Sequence, residues 1–231
     1  MEILEVKNVS KSFDGKKIID DVSFCVESGK IVGLLGKNGC GKTTILKMIN
    51  DLLTIDSGEI LIDGKHIGVE TKEVISFLPE RTYLEPDYTV EEVFTYFEEF
   101  YKNFDRQKAE KLLKDFDLDI KSRLSKMSKG MKEKVQLILV MSRRAKLYIL
   151  DEPLGGVDPA TRNYILKTIL SNLEGDASMI ITTHLVSDIE KILDEVIFID
   201  KGKLILSGNA DELREREKCS INEIFMRELS C

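Results

Sequence analysis

Hydrophobic and polar positions follow two different periods along the chain, and these periods predict alternating strands and helices. Residues 22–27 alternate apolar and polar side chains, as a strand with one buried face does. Residues 31–36 form a continuous apolar run, which is typical of a parallel strand buried on both faces. Similar runs occur at 74–80, 147–152 and 178–184. From Lys42 onward the apolar residues recur at helical spacing, at Ile45, Met48, Ile49 and Leu52.

The pattern changes between residues 83 and 141. Thr89 and Glu92 match a capping box, which predicts the start of a helix. Apolar side chains then recur at helical spacing, at Val93, Phe97, Phe100 and Phe104. We expect a second helix to carry Leu112, Leu113 and Phe116. A helical subdomain over about residues 83–141 is therefore predicted as an insertion in an α/β core.

The remaining segments complete one predicted domain over residues 2–231. The Asp63-Gly64 pair lies between two strand-like runs and predicts a β-hairpin. A second hairpin is predicted over 195–208, and the charged tail that follows is predicted to be helical. The predicted fold class is α/β, with a largely parallel core, an antiparallel β subdomain and the inserted α-helical subdomain.

Composition and charge disfavour several classes of protein. The chain has 231 residues, a net charge of −7 and a pI near 5.1. This balance disfavours binding of nucleic acid, because phosphate contacts need clustered surplus cations. The longest apolar run, residues 135–141, is too short to span a bilayer, and no signal peptide is recognised. The four cysteines lack metal-binding spacing, and we expect them to be reduced thiols of a cytosolic protein.

The segment GKNGCGKTT, residues 36–44, follows a predicted buried strand and precedes a predicted helix. It matches the pattern G-x-x-x-x-G-K-[ST], in which glycines let consecutive N–H groups face a phosphate at a helix N-terminus. Lys42 would neutralise the β- and γ-phosphates, Thr43 would bind Mg²⁺ and Thr44 would reach the α-phosphate. A plain glycine turn is the alternative, which the strand–loop–helix context disfavours. The candidate nucleotide-binding residues are Gly36, Lys37, Asn38, Gly39, Cys40, Gly41, Lys42, Thr43 and Thr44.

Two adjacent acids end the apolar run at 147–152. Asp151 would hold Mg²⁺ through water, and Glu152 would polarise the water that attacks the γ-phosphate. Two acids at a strand end are alternatively a turn signal, but the preceding phosphate-binding loop favours the functional interpretation. Together the two motifs predict a P-loop nucleoside triphosphatase with a RecA-like core. They do not identify its family, although the sequence contains neither a guanine-specifying Asn-Lys-x-Asp motif nor an arginine-rich lid.

From about Ile3 to Leu213 the chain resembles the ATPase domain of ATP-binding-cassette (ABC) proteins. GKNGCGKTT resembles the family's Walker A motif and LYILDE its Walker B motif. SFLPE resembles the Q-loop, MSKGM the signature, PLGGVD the D-loop and TTH the switch histidine. All six occur in the family's order, which makes the resemblance specific. The lysine in the signature is similar to that of small bacterial exporter-type ATP-binding proteins.

The resemblance implies roles for three residues on the nucleotide's own side of the site. Phe13 matches the aromatic residue that stacks on adenine, where tyrosine is commoner, and its π-face is what stacking needs. Glu80 stands where the family usually has glutamine. Either side chain offers an oxygen to Mg²⁺ or to the lytic water, but the carboxylate adds a negative charge. His184 would donate a hydrogen bond to the γ-phosphate and hold the attacking water.

Four further residues match positions of the family's signature and D-loop. Ser128 and Gly130 retain the signature positions that offer a hydroxyl and a close backbone approach to a phosphate. Lys129 replaces a glycine and adds positive charge beside a triphosphate. Asp158 retains the D-loop acid and is also predicted to be the N-cap of a helix.

The resemblance also implies cofactors and partners. The cofactors are ATP and Mg²⁺, with two chains paired head to tail as a homodimer or a heterodimer, so that each ATP lies between one Walker A motif and the partner's signature. A separate transmembrane permease subunit would hold the protein at the cytoplasmic face of the cell membrane. Export is favoured over import by the signature variant. Phe94 and Tyr101 are candidate contacts with the permease, although packing within the subdomain is the simpler interpretation.

Two alternatives to a transporter subunit stay open at this point. One is an ABC ATPase of DNA repair or translation, which usually carries a long coiled-coil insertion or tandem cassettes. Lys42 and Ser128 are only 86 residues apart (128 − 42), which leaves no room for a coiled coil. The other is a nucleotide-binding regulator that does not hydrolyse ATP, although Glu152 and His184 give no reason for inactivity.

Overall fold

The computed structural model describes residues 1–229, which form two β-sheets and a set of helices. The strands are β1 Glu2–Phe13, β2 Lys16–Glu27, β3 Ile31–Leu35, β4 Ser57–Ile62, β5 Lys65–His66, β6 Ile75–Leu78, β7 Leu147–Asp151, β8 Ser178–Thr183, β9 Glu195–Asp200 and β10 Lys203–Asn209. The helices are α1 Lys42–Ile49, α2 Val69–Val74, α3 Val90–Phe100, α4 Arg106–Asp115, α5 Lys129–Met141, α6 Pro159–Asn172, α7 Val186–Ile189, α8 Ala210–Glu217 and α9 Ile221–Leu229. Cys231 and Ser230 lie outside the described residues.

The larger sheet has the strand order β10-β9-β3-β8-β7-β6. All its neighbouring pairs are parallel except β9 with β10, which form the predicted C-terminal hairpin. Its central strands are buried on both faces: Leu34 packs into one hydrophobic cluster and Leu35 into the other. The continuous apolar runs in the sequence therefore predicted these strands correctly, because a strand covered on both sides has no polar face.

The parallel arrangement determines where the site lies. The carboxyl ends of parallel strands meet at one edge of a sheet, and ligands bind outside that edge in open α/β folds. The glycine-rich loop follows β3, Asp151 ends β7, and His184 directly follows β8. Glu80 lies two residues beyond the end of β6. One edge of the sheet thus brings together residues more than one hundred positions apart in the sequence.

The smaller sheet is antiparallel, with the order β2-β1-β4-β5. Asp63 and Gly64 connect β4 to β5 with φ values of 52° and 71°, and Ile62 pairs with Lys65 across the turn. Two successive positive φ values define the type I′ turn that the Asp-Gly pair predicts. Strand β2 begins at Lys16, six residues earlier than the alternation at 22–27 indicated (22 − 16), because pairing with β1 extends the strand beyond its alternating segment.

Helices α3, α4 and α5 lie between β6 and β7 in the chain. The predicted capping box is confirmed: Glu92 N donates to Thr89 Oγ1 at 3.2 Å, and Thr89 N donates to the Glu92 carboxylate at 2.7 Å. Phe100 shares the helical spacing of Val93 and Phe97, but it is 64% exposed. Phe104 lies beyond the end of α3, and its ring still packs 5.8 Å from that of Phe97. The position of Phe104 is therefore set by the turn after α3 and not by helical periodicity.

The interpretation of Phe94 as a partner-facing aromatic is wrong. Its side chain is fully buried, and the Arg106 guanidinium lies 5.4 Å from its ring centroid. Tyr101 is half-buried and lies over the Arg143 guanidinium at 3.8 Å. The simpler interpretation, packing within the protein, describes both side chains.

Arg143 connects the helices of this region to the parallel sheet. Its guanidinium is buried and donates to Ile75 O at 2.6 Å, to Lys72 O at 3.1 Å and to Asn103 Oδ1 at 3.1 Å. Burial lowers the pKa of Arg143 from its ordinary value. These bonds join the end of α2, the start of β6, the segment after α3 and the end of α5, which fixes the α5 end of the helical region against the core.

Candidate nucleotide-binding site

The glycine-rich loop between β3 and α1 is held in shape by its own backbone and by the core beneath it. A Cβ at Gly36 would overlap the carbonyl oxygen of Ile199, and Gly41 has a φ of 115°, which favours glycine. The Cys40 side chain is buried in the hydrophobic core, so only its backbone remains available to a ligand. Gly202, in the turn between β9 and β10, donates its N–H to Cys40 O at 2.9 Å and supports the loop from below.

Lys42 is folded over this loop. Its ammonium is buried and donates to Gly36 O at 2.7 Å and to Lys37 O at 3.2 Å. A buried ammonium needs such partners because desolvation of an unpaired charge is costly. The loop carbonyls therefore hold the lysine at the mouth of the loop, where an incoming phosphate would compete for it.

Asp151, the last residue of β7, and Glu152, which follows it, have different surroundings. Asp151 is 1% exposed, and its Oδ1 accepts a hydrogen bond from Thr182 Oγ1 at 2.6 Å. Its second carboxylate oxygen, Oδ2, is buried and has no hydrogen-bond partner among the described residues. Buried polar atoms in folded proteins are nearly always paired, so an orphaned carboxylate oxygen indicates a ligand position.

Glu152 is held in a strained conformation that directs its side chain toward His184. Its φ is 52°, a left-handed conformation that costs a non-glycine residue about 1–3 kcal/mol and is typical of functional sites. The backbone is fixed by bonds from Glu152 N to Thr182 O at 3.1 Å and to Thr182 Oγ1 at 3.0 Å. Glu152 Oε2 then lies 2.9 Å from His184 Nδ1. The sequence predicted both residues separately, and the structure pairs them.

One cleft of about 1020 Å³ connects these groups. This volume is at the upper end of the range of small-molecule sites. The predicted residues that line it are Asn38, Gly39, Gly41, Lys42, Thr43, Thr44, Glu80, Asp151, Glu152 and His184. Phosphate-binding, acidic and histidine motifs therefore converge on one space, as the sequence motifs predicted.

Seven predicted residues lie outside the lining of this cleft, namely Gly36, Lys37 and Cys40 of the loop, together with Phe13, Ser128, Gly130 and Asp158. Phe13 is at the end of β1, 44% exposed, with Lys11 Nζ 5.6 Å from its ring centroid. Asp158 caps α6, since its Oδ1 accepts from Thr161 N at 3.1 Å, which confirms the N-cap prediction. The Ser128 hydroxyl likewise caps α5, and a Cβ at Gly130 would meet no atom within 4 Å. Packing within the chain thus gives no reason for glycine at 130.

Several lining residues were not predicted from the sequence. On α5 these are Lys132, Glu133 and Gln136, which line the cleft beside the Lys129 of the signature, and elsewhere they include Ile18, Arg81 and Thr82. The spacing of the α5 residues, at i, i+3, i+4 and i+7, is that of one helix face. The periodicity was visible in the sequence, but whether this helix face lines the cleft depends on how α5 packs against the sheet.

Magnesium fits the donor set at this edge of the sheet. Mg²⁺ prefers oxygen ligands and is usually bound by one or two carboxylates together with substrate phosphates. The buried, unpartnered Oδ2 of Asp151 and the hydroxyl of Thr43 are such oxygens, and both residues line the cleft. No group of three or more His, Cys, Asp or Glu side chains within residues 1–229 could hold a metal by itself.

The fold and the converging motifs define a P-loop nucleoside triphosphatase, and comparison with known proteins identifies its family. The model of the ABC transporter family matches residues 19–155, more than half of the chain. The ATP-binding protein YtrB of Bacillus subtilis is 33% identical over 216 residues, which are 92% of this chain and 74% of that protein. The lipopolysaccharide export ATP-binding protein LptB of Haemophilus influenzae is 30% identical over 239 residues, which cover 99% of this chain and 98% of that protein.

A solved structure of an ATP-binding subunit of an ABC transporter superposes with a TM-score of 0.87 and 29% identity, covering 98% of this chain and 99% of that one. The protein therefore belongs to the ABC transporter family and is an ATP-binding ATPase subunit. ATP-binding subunits of this family dimerise and work with transmembrane partners. Within residues 1–229, the helices are too short or too polar to cross a bilayer.

Proposed function

We propose that this chain is the motor subunit of an exporter, peripheral to the cytoplasmic face of the membrane, and that it hydrolyses MgATP between two head-to-tail ATP-binding subunits. The observation that carries the proposal is the convergence of Lys42, Asp151, Glu152 and His184 on one cleft. Export is supported by the relative LptB, whose name describes lipopolysaccharide export, and by the lysine-containing signature.

Binding of ATP begins with the exchange of partners at Lys42. The ammonium leaves the carbonyl oxygens of Gly36 and Lys37 for the β- and γ-phosphates, while the loop N–H groups and the α1 N-terminus bind the same anion. Thr43 and Asp151 would hold Mg²⁺, with Glu80 as a further oxygen donor. When bound, the metal neutralises charge that develops on the phosphate oxygens.

Hydrolysis depends on the pair formed by Glu152 and His184. The Glu152 carboxylate, only 12% exposed, accepts the proton of the attacking water, and His184 Nδ1 holds that carboxylate at 2.9 Å. The opposite ring nitrogen of His184 is then free to face the γ-phosphate. The strained backbone of Glu152 keeps this arrangement in place before the substrate arrives.

Closure needs a second subunit, because Ser128 and Gly130 of the signature lie outside the cleft of their own chain. Ser128 is exposed at the N-terminus of α5, and the space around Gly130 is open. A phosphate presented by another subunit could therefore approach the hydroxyl and the helix N-terminus directly. Phe13, exposed at the end of β1, would stack on the adenine, and Asp158 would stiffen the loop between the two sites.

The Glu152→Gln variant tests this proposal. It keeps the size and hydrogen bonding of the side chain but removes the base, so we expect ATP hydrolysis to fall by roughly 10²–10⁴-fold while ATP binding persists. ATP should also convert the variant, more than the wild type, to a stable dimer in sizing experiments. The control is Glu215→Gln, the same exchange at an exposed position on α8, which should hydrolyse ATP normally. Equal hydrolysis by Glu152→Gln and wild type would contradict the assignment.

A further inference from the structure

Gly202, in the turn between β9 and β10, lies between strand β2 and the phosphate-binding loop at residues 36–44. Its N–H donates to Cys40 O at 2.9 Å, and its carbonyl oxygen accepts from Asp20 N at 2.9 Å. One residue of the turn therefore bonds to the loop on one side and to β2 on the other.

The contact between this turn and β2 requires glycine. Gly202 has a φ of 77°, in the left-handed region that favours glycine. A Cβ at this position would overlap the carbonyl oxygen of Ile18, and the three atoms nearest to it all belong to Ile18 and Ile19 of β2. The turn is therefore pressed against the backbone of β2, and the contact leaves no room for a side chain.

The turn and the loop belong to the larger sheet, whereas β2 belongs to the smaller one. β9 lies between β3 and β10 and pairs with both. The Ile199 carbonyl oxygen of β9 also lies where a Cβ at Gly36 would be, so the same strand supports the start of the loop. β2 is an edge strand of the smaller sheet, next to β1. A larger residue at position 202 should therefore displace β2 and leave the phosphate-binding loop in place.

β2 lies on the side of the site proposed for the base. Ile18 lines the cleft, and Lys16, two residues earlier, pairs with Phe13 at the end of β1. An ion pair adds a second connection between β2 and the hairpin of β9 and β10, since Lys203 Nζ lies 3.1 Å from the Asp20 carboxylate. The position of the base side relative to the loop thus depends on contacts made at this turn.

We propose that Gly202 is a positioning residue for the nucleotide, which sets the distance between the base side of the site, at Phe13 and Ile18, and the phosphate-binding loop. This inference rests on the proposed function, in which Phe13 stacks on the adenine. Gly202 does not line the cleft and acts through β2 and Cys40. A ligand that carries both a base and a triphosphate depends on this distance, because its two ends must bind at once. Inorganic tripolyphosphate reaches only the loop and does not depend on it.

A comparison of two ligands tests the positioning. Isothermal titration calorimetry in the presence of Mg²⁺ measures the dissociation constants of a non-hydrolysable ATP analogue and of inorganic tripolyphosphate. Gly202→Ala should weaken binding of the analogue roughly fivefold, the fold-change expected from the loss of an aromatic stacking contact. It should change the binding of tripolyphosphate by less than about twofold.

Gly64→Ala is the control for backbone strain. Gly64 has a similar φ of 71°, but a Cβ there would meet no atom within 4 Å. This variant should bind both ligands as the wild type does. Equal weakening of both ligands by Gly202→Ala would show a merely structural role and overturn the inference, as would unchanged binding of the analogue.

A milder pair of variants decides the inference if Gly202→Ala does not fold. Lys203 and Lys17 both pair with the Asp20 carboxylate, at 3.1 Å and 2.7 Å, and their side chains are 63% and 56% exposed. Lys203 connects β10 to β2, whereas Lys17 lies within β2 itself. Lys203→Gln should weaken the analogue about twofold and leave tripolyphosphate unchanged, and Lys17→Gln should change neither. Equal effects of the two variants would overturn the inference.

The outcomes separate this inference from the proposed function. If the wild type binds neither ligand and hydrolyses no ATP, the proposed function fails and the inference fails with it. If the wild type hydrolyses ATP and the Glu152→Gln variant does not, yet Gly202→Ala weakens both ligands equally, only the positioning role is wrong.

Discussion

Replacing Thr182 with valine removes one buried hydroxyl that serves both acids of the site. Thr182 is fully buried in β8, and its Oγ1 donates to Asp151 Oδ1 at 2.6 Å and accepts from Glu152 N at 3.0 Å. Valine has nearly the same shape, so the substitution removes these two bonds without opening a large cavity. The Glu152 N–H keeps a bond to Thr182 O at 3.1 Å, so the main loss falls on Asp151.

The magnitude follows from the charge of the acceptor. A hydrogen bond to a charged group contributes about 1.5–3 kcal/mol, and its loss here leaves both oxygens of a buried carboxylate without a donor among the described residues. We therefore expect the substitution to lower the free energy of unfolding by about 2 kcal/mol. In a chain of this size, 1 kcal/mol shifts the melting temperature by about 2–4 °C, so the Thr182→Val variant should melt about 4–8 °C below the wild type.

Thermal unfolding followed by circular dichroism, in EDTA and without nucleotide, measures this shift. The neighbouring Thr183→Val variant is the matched control, because Thr183 is equally buried but its Oγ1 accepts from the neutral Leu185 N–H at 2.9 Å. We expect the control to lose about half as much stability. If Thr182→Val melts with or above Thr183→Val, then the bond to Asp151 carries no special weight and the reasoning is wrong.

Three further predictions concern the loop and the core. Gly36→Ala should abolish nucleotide binding in a fluorescent-nucleotide titration, because its Cβ overlaps Ile199 O; near-normal affinity would show that the loop can shift. Arg143→Leu should lower the free energy of unfolding by about 3–5 kcal/mol in a urea titration, since several buried acceptors lose their donor; a loss below 1 kcal/mol would refute this. Burial raises the pKa of Cys40, so less thiolate is present at pH 8, and mass spectrometry should find it alkylated more slowly than Cys219. Equal alkylation rates for Cys40 and Cys219 would contradict the burial of the Cys40 side chain.

Local patterns predicted the elements whose formation depends on nearby residues. The apolar runs gave β3, β7 and β8 because a strand covered on both faces admits few polar side chains. The Asp63-Gly64 turn and the Thr89–Glu92 capping box were predicted because their hydrogen bonds and dihedral angles involve only a few consecutive residues. The environments of Phe94 and Phe100 did not follow from helical spacing, because that spacing shows which residues share a face, but not what covers that face.

For the site, the sequence by itself determined the chemical inventory: a phosphate-binding loop, two acids, a histidine and a signature segment, in an order that indicated an ABC ATPase. Only the tertiary structure decided their relations, because β3, β6, β7 and β8 come from distant segments and meet through sheet pairing. It placed Glu152 beside His184, left one oxygen of Asp151 unpaired, and set one face of α5 along the same cleft. Such contacts depend on long-range packing, in which each residue is placed by partners that its own neighbourhood in the sequence does not contain.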